Sequence, residues 1–293
     1  MTAKGAYIAV DWGTTNRRAW LMAGDGAVLA SESDGRGVLA IDPAAYDAEV
    51  AGLRSRLGDH PILAAGMIGS TRGWRDIPYV DAPADLAALA RGSVDVAPGV
   101  TILPGVALRT NGRADVMRGE EVQALGATAA GLAPADALFC QPGTHCKWIA
   151  MADGALADFA TAMTGELFAL VKAHGILAGM LDGPVADGPA FHDGLARGMR
   201  ARDLTVALFE VRAAVLLGMR PAAEAASLAS GILIGADVGA QAELSGRDVH
   251  LLASGALADL YAAAIVAAGG RVAALDSHAA FRAGIHAIRE LLP

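Results

Sequence analysis

Short, mainly apolar runs separated by glycine-containing turns open the chain. Residues 7–10, 18–22 and 27–30 each have the length and apolar character of a buried strand. A Gly-Asp-Gly turn at residues 24–26 separates the second run from the third. The pattern predicts a meander of three strands.

Helical and strand-like segments then alternate. Asp42 and Pro43 combine a capping residue with a proline in the first turn, which favours the start of a helix. Helices are expected at 43–57, 85–91 and 120–130, and strands at 61–65, 100–103 and 114–117. Such alternation is typical of an α/β fold.

The order of the opening segment begins again near the middle of the chain. Three predicted strands, separated by a Gly-Thr turn and then an Asp-Gly turn, lead into a helix. The strands cover 137–140, 146–151 and 155–162, and the helix begins at Thr164. The first 57 residues show the same order. A repeat of about 130 residues is too long for a solenoid and predicts two related domains. We expect their boundary near residues 130–136.

The remainder of the chain is mainly helical. Helix-type spacing of apolar residues alternates there with two short apolar runs that are typical of strands. Helices are expected at 191–200, 204–217, 222–244, 257–268 and 278–292, and strands at 249–253 and 271–275.

Composition narrows the functional classes. More than half of the 293 residues are hydrophobic, which suffices for sizeable cores. The net charge is −8 without a run of Lys or Arg, which argues against nucleic acid and membrane surfaces as partners. No uninterrupted apolar run reaches the ~18 residues of a membrane-spanning helix. Residues 1–6 lack the pattern of a signal peptide, so the expected location is the cytoplasm.

Cys140 and Cys146 are the two cysteines of the chain. A disulfide or half of a metal site is one interpretation. We favour two reduced thiols, because no further pair of Cys or His follows at zinc spacing.

The first predicted hairpin has the residues of a phosphate-binding turn. Asp11 ends a buried strand, and Gly13, Thr14 and Thr15 follow it. Glycine lets a ligand approach the backbone closely, and threonine offers a hydroxyl and an N–H group to phosphate oxygens. Asp11 is suited to hold Mg²⁺ and its waters beside a phosphate. From these residues alone, an ordinary capped turn is the alternative.

Two later segments carry related residues. In the second hairpin, Gly143 and Thr144 repeat the Gly-Thr turn, and His145 and Lys147 could add positive charge. The alternative is that Lys147 is a solvated residue at a strand end. A small-residue turn between a predicted strand and a helix leaves room for a flat adenosine. That turn consists of Ser254, Gly255 and Ala256.

Taken in order, the two hairpins and the small-residue turn resemble those of the superfamily of sugar kinases, heat-shock chaperone ATPases and actin. The resemblance implies an α/β fold, the two-domain actin-like ATPase (ribonuclease H-like) fold, with ATP in a cleft between the domains. It also implies ATP and Mg²⁺ as cofactors.

Further blocks resemble one family of that superfamily, the 2-dehydro-3-deoxygalactonokinases. Its opening is matched by Asp11-Trp12-Gly13-Thr14-Thr15-Asn16 with Arg18 and Trp20. Other matching blocks follow in order at 65–74, 116–121, 142–148, 163–167, 209–212 and 231–236. The resemblance implies transfer of the ATP γ-phosphate to the C6 hydroxyl of 2-dehydro-3-deoxy-D-galactonate in galactonate catabolism. The choice of the galacto over the gluco epimer rests on this resemblance alone.

The resemblance also implies which part of the chain forms each domain and which site each domain holds. Residues 1–132 are expected to form a domain with the first phosphate hairpin and the sugar-acid site, on which the final helix, 277–293, packs. Residues 133–276 are expected to form a domain with the second hairpin and the adenosine turn.

In hexokinase-like relatives the catalytic acid stands where a strand passes into a helix. Residues 118–121 occupy such a junction here, so Glu120 is the first candidate for the base that accepts the hydroxyl proton. Glu121 is the second candidate and Asp115 the third. The alternative is that these acids only stabilise the start of the helix electrostatically.

Seven residues are expected to contact the sugar acid, whose carboxylate is costly to bury unpaired. Position 17 is also Arg, and the sequence leaves open whether Arg17 or Arg18 faces the site. Trp74 could pack on the sugar or in the core. The seven candidates are Asn16, Arg18, Gly66, Met67, Ser70, Trp74 and Arg118.

Other classes share these features. A different sugar or sugar-acid kinase is the nearest alternative, and a phosphatase of the exopolyphosphatase type also has the hairpins and a Gly-Glu-Glu junction. A non-enzymatic sugar sensor or chaperone-like ATPase is a third interpretation, which the lack of a DNA-binding extension before the first strand disfavours. The oligomeric state stays open between a monomer and a homodimer.

Overall fold

The computed structural model describes residues 5–110, 112–241 and 243–293. The chain divides into two compact units. Unit 1 comprises Met1–Asp136, Ile149–Phe159 and Ser277–Pro293, and unit 2 comprises Ala137–Trp148 and Ala160–Asp276. The prediction made for residues 1–6 falls mostly on residues 1–4, which lie outside the described residues.

Strands and helices alternate along most of the chain. The strands are β1 (Tyr7–Trp12), β2 (Arg17–Met22), β3 (Val28–Asp34), β4 (Ile62–Ala65), β5 (Val80–Asp81), β6 (Val94–Ala97), β7 (Val100–Ile102), β8 (Val106–Thr110), β9 (Arg113–Met117), β10 (Leu138–Gln141), β11 (Cys146–Ala152), β12 (Ala155–Ala162), β13 (Asp248–Leu252) and β14 (Arg271–Leu275). The helices are α1 (Tyr46–Leu57), α2 (Leu86–Gly92), α3 (Glu120–Ala129), α4 (Thr164–Ala173), α5 (Pro189–Met199), α6 (Leu204–Leu216), α7 (Ala225–Gly239), α8 (Gly255–Ala267) and α9 (Ser277–Leu291).

A six-stranded sheet lies in unit 1, in the order β3-β2-β1-β4-β7-β6. β1, β2 and β3 pair antiparallel as the predicted meander, and β4 then adds to β1 in parallel. The apolar side chains of β1, β4 and β7 pack with those of α1 in one core that includes Ile8, Leu53 and Ile102. The carboxyl ends of β1 and β4 therefore lie side by side, which is where open α/β sheets bind ligands.

A five-stranded sheet has the order β12-β11-β10-β13-β14, with β10, β13 and β14 parallel. The six-stranded and the five-stranded sheets share one strand order. β3-β2-β1-β4 in the first corresponds to β12-β11-β10-β13 in the second. The repeat of strand order that the sequence predicted is present in the structure. The core beside this sheet includes Cys140, Trp148 and Tyr261.

A third sheet, β5-β8-β9, was not predicted as a sheet. Only β9 was expected from the sequence. β5 has two residues, and β6, also missed, is exposed or half-buried along its length, so neither carries an apolar run. β8 follows Pro104 and Gly105 and ends in polar residues, which shortens its apolar signal.

The helix predicted at 222–244 is shorter in the structure. A short 3₁₀ turn, Ala222–Glu224, leads into α7, which ends at Gly239, while Ala242 lies outside the described residues. Among the described residues, Ala222–Gly239 is the one helical segment long and apolar enough to cross a membrane, and 72% of it is buried inside the protein. Its apolar composition is therefore that of a core helix.

Helices α3 and α9 pack closely in unit 1 through Gly126 of α3 and Gly284 of α9. A Cβ added at Gly126 would lie 2.1 Å from the carbonyl oxygen of Ala280 and 2.4 Å from the amide nitrogen of Gly284. These atoms belong to the backbone of α9, so they cannot move aside as a flexible side chain can. The pairing therefore needs the absence of a side chain at Gly126.

We predict that Gly126→Ala destabilises the protein by about 1–3 kcal/mol, because it overpacks two helix backbones. Helix propensity alone predicts the opposite sign, since Ala is favoured over Gly inside a helix by roughly 1 kcal/mol. Thermal unfolding followed by circular dichroism measures the difference. Gly35→Ala is the control, because no atom lies within 4 Å of its added Cβ. An unfolding midpoint for Gly126→Ala at or above that of the wild type would contradict the prediction.

Candidate functional site

The first hairpin, between β1 and β2, exposes Thr14, Thr15 and Asn16 at its tip. The carbonyl oxygens of Gly13, Thr14 and Thr15 accept hydrogen bonds from the amides of Val38, Leu39 and Gly37 respectively. These three hydrogen bonds hold the hairpin tip through its backbone carbonyl oxygens. Both threonine hydroxyls stand on exposed residues, as an anion-binding turn requires.

Three chain segments meet behind this hairpin. A Cβ added at Gly66, which follows β4 and has φ of +99°, would lie 2.8 Å from the carbonyl oxygen of Trp12. A Cβ added at Gly119, directly before α3, would lie 3.3 Å from Cα of Gly66. The end of β1, the end of β4 and the start of α3 are therefore brought together by glycine contacts.

Asp11 and Glu120 interact electrostatically at this junction. Burial raises the pKa of Asp11 to about 6, the nearby Arg18 lowers that pKa, and the Glu120 carboxylate raises it. The Arg18 guanidinium lies 3.8 Å from Oδ2 of Asp11. The site therefore combines two carboxylates and one guanidinium beside the tip of the first hairpin.

Glu120 and Glu121 have different surroundings although they are adjacent. Glu121 is fully buried, and both of its carboxylate oxygens accept from the Gly119 amide at 2.8 Å. Burial, and then the charge of Glu120, raises the pKa of Glu121 to about 8. Glu120 is partly exposed, and its Oε2 accepts from the Arg118 amide at 3.2 Å. At neutral pH Glu121 is therefore mostly protonated and is a weak candidate for a base.

Asp115, the third candidate base, stands in the middle of β9, two residues before Met117 at its end. Its Oδ1 accepts from the amide of Val116 at 2.7 Å. Glu120, by contrast, acts through its charge on the pKa of Asp11, which favours Glu120 as the candidate base.

The structure decides between the two adjacent arginines. Arg17 is 2% exposed and forms ion pairs with Asp34 at 2.6 Å and Glu49 at 2.8 Å. Arg18, on the opposite face of β2, is partly exposed and lies beside Asp11. Arg17 is therefore a core residue with two acidic partners, and Arg18 faces the site.

Of the other predicted substrate residues, Met67 and Ser70 lie in one turn and Trp74 packs against the core. Met67 and Ser70 lie in and after the short turn that follows Gly66, where Ser70 Oγ donates to the Met67 carbonyl oxygen at 2.7 Å. Trp74 stacks on Tyr46 with ring centroids 5.7 Å apart and packs against the core of unit 1. Its contacts are those of a packing residue.

Arg118 is buried, with its guanidinium 4.0 Å above the ring of Tyr79 and Nη2 donating to the Ile77 carbonyl oxygen. Its Nε and Nη1 have no hydrogen-bond partner among the described residues. Buried donors are normally paired, so these two N–H groups are available to an anion.

In unit 2 the second hairpin, between β10 and β11, exposes Gly143, Thr144 and His145. The Thr144 carbonyl oxygen accepts from the Glu166 amide in α4 at 2.8 Å, and His145 Nε2 lies 2.7 Å from Oε2 of Glu166. A Cβ added at Gly165 would lie 2.4 Å from the Gly143 carbonyl oxygen. The start of α4 is thus pressed against the hairpin tip.

Lys147 is buried rather than solvated, so the alternative interpretation of a solvated strand end is wrong. Its ammonium donates to Thr161 Oγ1 of β12 at 2.7 Å. The ammonium is therefore bound to the neighbouring strand of the sheet, whereas the exposed residues of the hairpin tip end at His145. A contact between Lys147 and phosphate stays a prediction.

A cavity of about 220 Å³ in unit 2 joins the second hairpin to the predicted adenosine turn. Its lining is mainly apolar with a few polar groups, as is common in nucleotide and cofactor sites. Ala256 of the turn lines it, whereas Ser254 and Gly255 do not. The lining residues are Gly143, Thr164, Gly165, Phe168, Val185, Ser230, Leu233, Ile234, Ala256, Leu257, Leu260 and Tyr261.

Most of these lining residues were not predicted. Only Gly143 and Ala256 were candidates from the sequence. Val185 precedes α5, and the others come from α4, α7 and α8, where most look like ordinary helix residues in the sequence. A short Thr-Gly pair at the start of α4 was the one available signal, since its glycine is required for the contact with Gly143.

Among the residues that the structure describes, no three His, Cys, Asp or Glu side chains group to hold a metal ion. Cys140 and Cys146 are both free, buried thiols with their Sγ atoms 3.8 Å apart, as the sequence predicted. Asp11 and Glu120 are the two neighbouring carboxylates of the site. One or two carboxylates with water and phosphate oxygens are what Mg²⁺ usually takes.

Comparisons with known proteins agree along the whole chain. The model of a family described as 2-keto-3-deoxy-galactonokinase matches residues 11–288. A protein of Escherichia coli named 2-dehydro-3-deoxygalactonokinase is 38% identical over 293 residues, covering 98% of each chain. One of Rhizobium meliloti, named a probable 2-dehydro-3-deoxygalactonokinase, is 40% identical and covers 98% of this chain and 97% of its own.

Solved structures show the same fold. A crystal structure of a Sinorhizobium meliloti protein assigned as a 2-dehydro-3-deoxygalactonokinase has a TM-score of 0.90 at 37% identity, covering 97% of this chain and 98% of its own. Component A of the (R)-2-hydroxyglutaryl-CoA dehydratase of Acidaminococcus fermentans has a TM-score of 0.51 at 14% identity, covering 98% and 99%. These likenesses confirm the predicted actin-like ATPase fold of mixed α/β class.

We predict that Glu121 makes the protein less stable at alkaline pH. Its pKa rises from the ordinary 4.5 to about 8 on folding, so the stability linked to its protonated form is present below about 4.5 and is lost as the pH rises through about 8. Glu121→Gln keeps an acceptor for Gly119 but cannot ionise. Between pH 6 and pH 9 its melting temperature should fall less than that of the wild type, by at least about 2 °C.

Thermal melts across that pH range measure the effect. Glu290→Gln, at a partly exposed position of α9, is the control and should follow the wild-type profile. Equal losses in wild type and Glu121→Gln would show that Glu121 ionises normally.

Proposed function

We propose that this chain, which belongs to the 2-keto-3-deoxy-galactonokinase family, transfers the γ-phosphate of ATP to the C6 hydroxyl of 2-dehydro-3-deoxy-D-galactonate. The observation that carries the proposal is the junction of Asp11, Arg18 and Glu120 behind an exposed Gly-Thr-Thr hairpin. Phosphoryl transfer needs a phosphate grip, a place for Mg²⁺ and a group that accepts the hydroxyl proton. Residues of unit 1 are chemically suited to all three needs.

Glu120 is the proposed base. Its carboxylate accepts the proton of the C6 hydroxyl as that oxygen forms a bond to the γ-phosphorus and ADP leaves. Glu121 is the worse candidate, because its pKa of about 8 leaves it protonated at neutral pH. Its hydrogen bonds to Gly119 instead hold the turn from which Glu120 projects.

Asp11 is the proposed holder of Mg²⁺, directly or through water, with Glu120 nearby. The residues fit the ion, since burial leaves Asp11 with a raised pKa that a cation would lower. When bound, the ion neutralises charge on the transferring phosphate. Gly13, Thr14 and Thr15 offer N–H and hydroxyl groups to the phosphates at the hairpin tip.

In unit 2, the second hairpin and the neighbouring cavity are the proposed site of the nucleotide. Adenine enters the mainly apolar cavity beside Ala256, and the phosphates extend to Gly143, Thr144 and His145. Continuity between the cavity and the hairpin through Gly143 supports this arrangement.

Arg18 and Arg118 are the proposed partners of the sugar-acid carboxylate. Arg18 is partly exposed beside Asp11, and two donor atoms of Arg118 have no partner among the residues that the structure describes. Asn16, Gly66, Met67 and Ser70 are the further proposed contacts of the sugar acid. Trp74 is assigned to packing on Tyr46 instead. The homodimer considered from the sequence stays a prediction, and we place the reaction in the cytoplasm.

Incubation of the protein with Mg-ATP and a panel of sugar acids, with ADP release as the readout, tests the activity. We expect release that depends on 2-dehydro-3-deoxy-D-galactonate, and the panel should include the gluco epimer. Sugar-independent release would indicate an ATPase. Consumption of polyphosphate alone would indicate the phosphatase alternative. Either outcome would overturn the proposal.

Glu120→Gln tests the base. We expect kcat to fall by about 10²–10⁴-fold, the usual contribution of general base catalysis, with little change in the KM for ATP. Asp115→Asn is the matched comparison, because it neutralises the third candidate base, which lies in the middle of β9, and its kcat should stay within about threefold of wild type. If Glu120→Gln stayed within that limit, Glu120 would lose the assigned role.

A further inference from the structure

A buried carboxylate stands inside the apolar helix α7. Asp237 is the one ionisable residue of α7, whose other residues are apolar or small, and it is 7% exposed. A carboxylate in such surroundings is costly unless hydrogen bonds satisfy its oxygens. Its position therefore calls for an explanation other than solubility or helix formation.

Three neutral donors satisfy Asp237. Trp148 Nε1 donates to Oδ1 at 2.9 Å. The hydroxyls of Thr164 and Tyr261 both donate to Oδ2, at 2.8 Å and 2.6 Å. Hydrogen bonds to a charged acceptor are stronger and shorter than those between neutral groups, so these contacts hold their donors in defined orientations.

Each donor belongs to a different element of the proposed nucleotide site. Trp148 is on β11, the strand that leaves the second hairpin. Thr164 begins α4 and precedes Gly165, which is pressed against the Gly143 carbonyl oxygen. Tyr261 is on α8, which begins at the proposed adenosine turn.

Thr164 and Tyr261 also line the 220 Å³ cavity themselves, whereas Asp237 does not. The carboxylate lies behind the cavity and contacts the side chains that form its wall. Asp237 lines a second cavity with Trp148 and Thr164, so it would act on a ligand in the 220 Å³ cavity only through Thr164 and Tyr261.

We propose that Asp237 is a positioning residue for the nucleotide: it holds α4 and α8 in the arrangement that shapes the cavity and supports the tip of the second hairpin. This inference rests on the proposed function, because it assigns the cavity to ATP. Loss of the carboxylate frees the Thr164 and Tyr261 hydroxyls, so the cavity wall and the start of α4 lose their shared anchor. The sugar acid, assigned to unit 1, should be bound as before.

Asp237→Asn and a pair of substitutions at Thr164 test the inference in the full chain. In Asp237→Asn, one acceptor oxygen becomes a donor that faces other donors. We expect the KM for ATP to rise about tenfold or more, the loss of roughly one charge-assisted hydrogen bond, with the KM for the sugar acid within about twofold. Thr164→Val, which has the same shape without the hydroxyl, should raise the KM for ATP, and Thr164→Ser should restore it.

Asp248→Asn is the control. It removes the same charge from an exposed position of unit 2, where Asp248 pairs with Arg271, and should match wild type. If Asp237→Asn and Thr164→Val lowered only the melting temperature and the active fraction, with the KM for ATP unchanged, the residue would be merely structural and the inference overturned.

Calorimetric titration with Mg-ADP separates this inference from the proposed function. If the wild type showed no release of ADP dependent on sugar acid, the kinase assignment would fail, and the titration would still compare nucleotide affinity between Thr164→Val and Thr164→Ser. Weaker binding by Thr164→Val alone supports the role of Asp237. Equal affinities overturn it. If Asp237→Asn did not fold, the Thr164 pair would decide.

Discussion

Contact between the backbones at Gly66 and Gly119 is the constraint on which the site in unit 1 depends. A Cβ at Gly66 would collide with the carbonyl oxygen of Trp12 at 2.8 Å, and a Cβ at Gly119 would crowd Cα of Gly66 at 3.3 Å. Without that close approach, the end of β1 and the start of α3 would separate, and Glu120 would no longer influence Asp11. Because both glycines have positive φ, any other residue would also strain the backbone.

The same principle operates in unit 2 with different chemistry. Gly165 lets α4 begin directly against the second hairpin, and the hydroxyl of the preceding Thr164 is tied to Asp237. The close backbone approach sets the distance between α4 and the second hairpin, and the buried carboxylate of Asp237 sets the orientation of the Thr164 side chain. In both units a glycine at a helix start therefore allows a close backbone contact: Gly119 with Gly66 in unit 1, and Gly165 with the Gly-Thr hairpin in unit 2.

Local patterns predicted a large part of the fold. The apolar runs of β1, β4 and β10 and the cap at Asp42 are signals contained in a few consecutive residues, and they appeared where expected. The sheet of β5, β8 and β9 was missed, because its strands are short or exposed and are stabilised by pairing with distant segments. The end of α7 at Gly239 was also missed, since apolar spacing continues past it.

The sequence by itself determined most of the order of elements, the two hairpins, the repeat and the family, because each of these is carried by short stretches of consecutive residues. Only the tertiary structure decided that Glu121 is buried with a raised pKa while Glu120 is partly exposed, that Arg17 belongs to the core while Arg18 lies beside Asp11, and that Asp237 joins β11, α4 and α8. Adjacent residues of the same type cannot be told apart in a sequence, because their charge state and partners depend on burial and on contacts between distant segments.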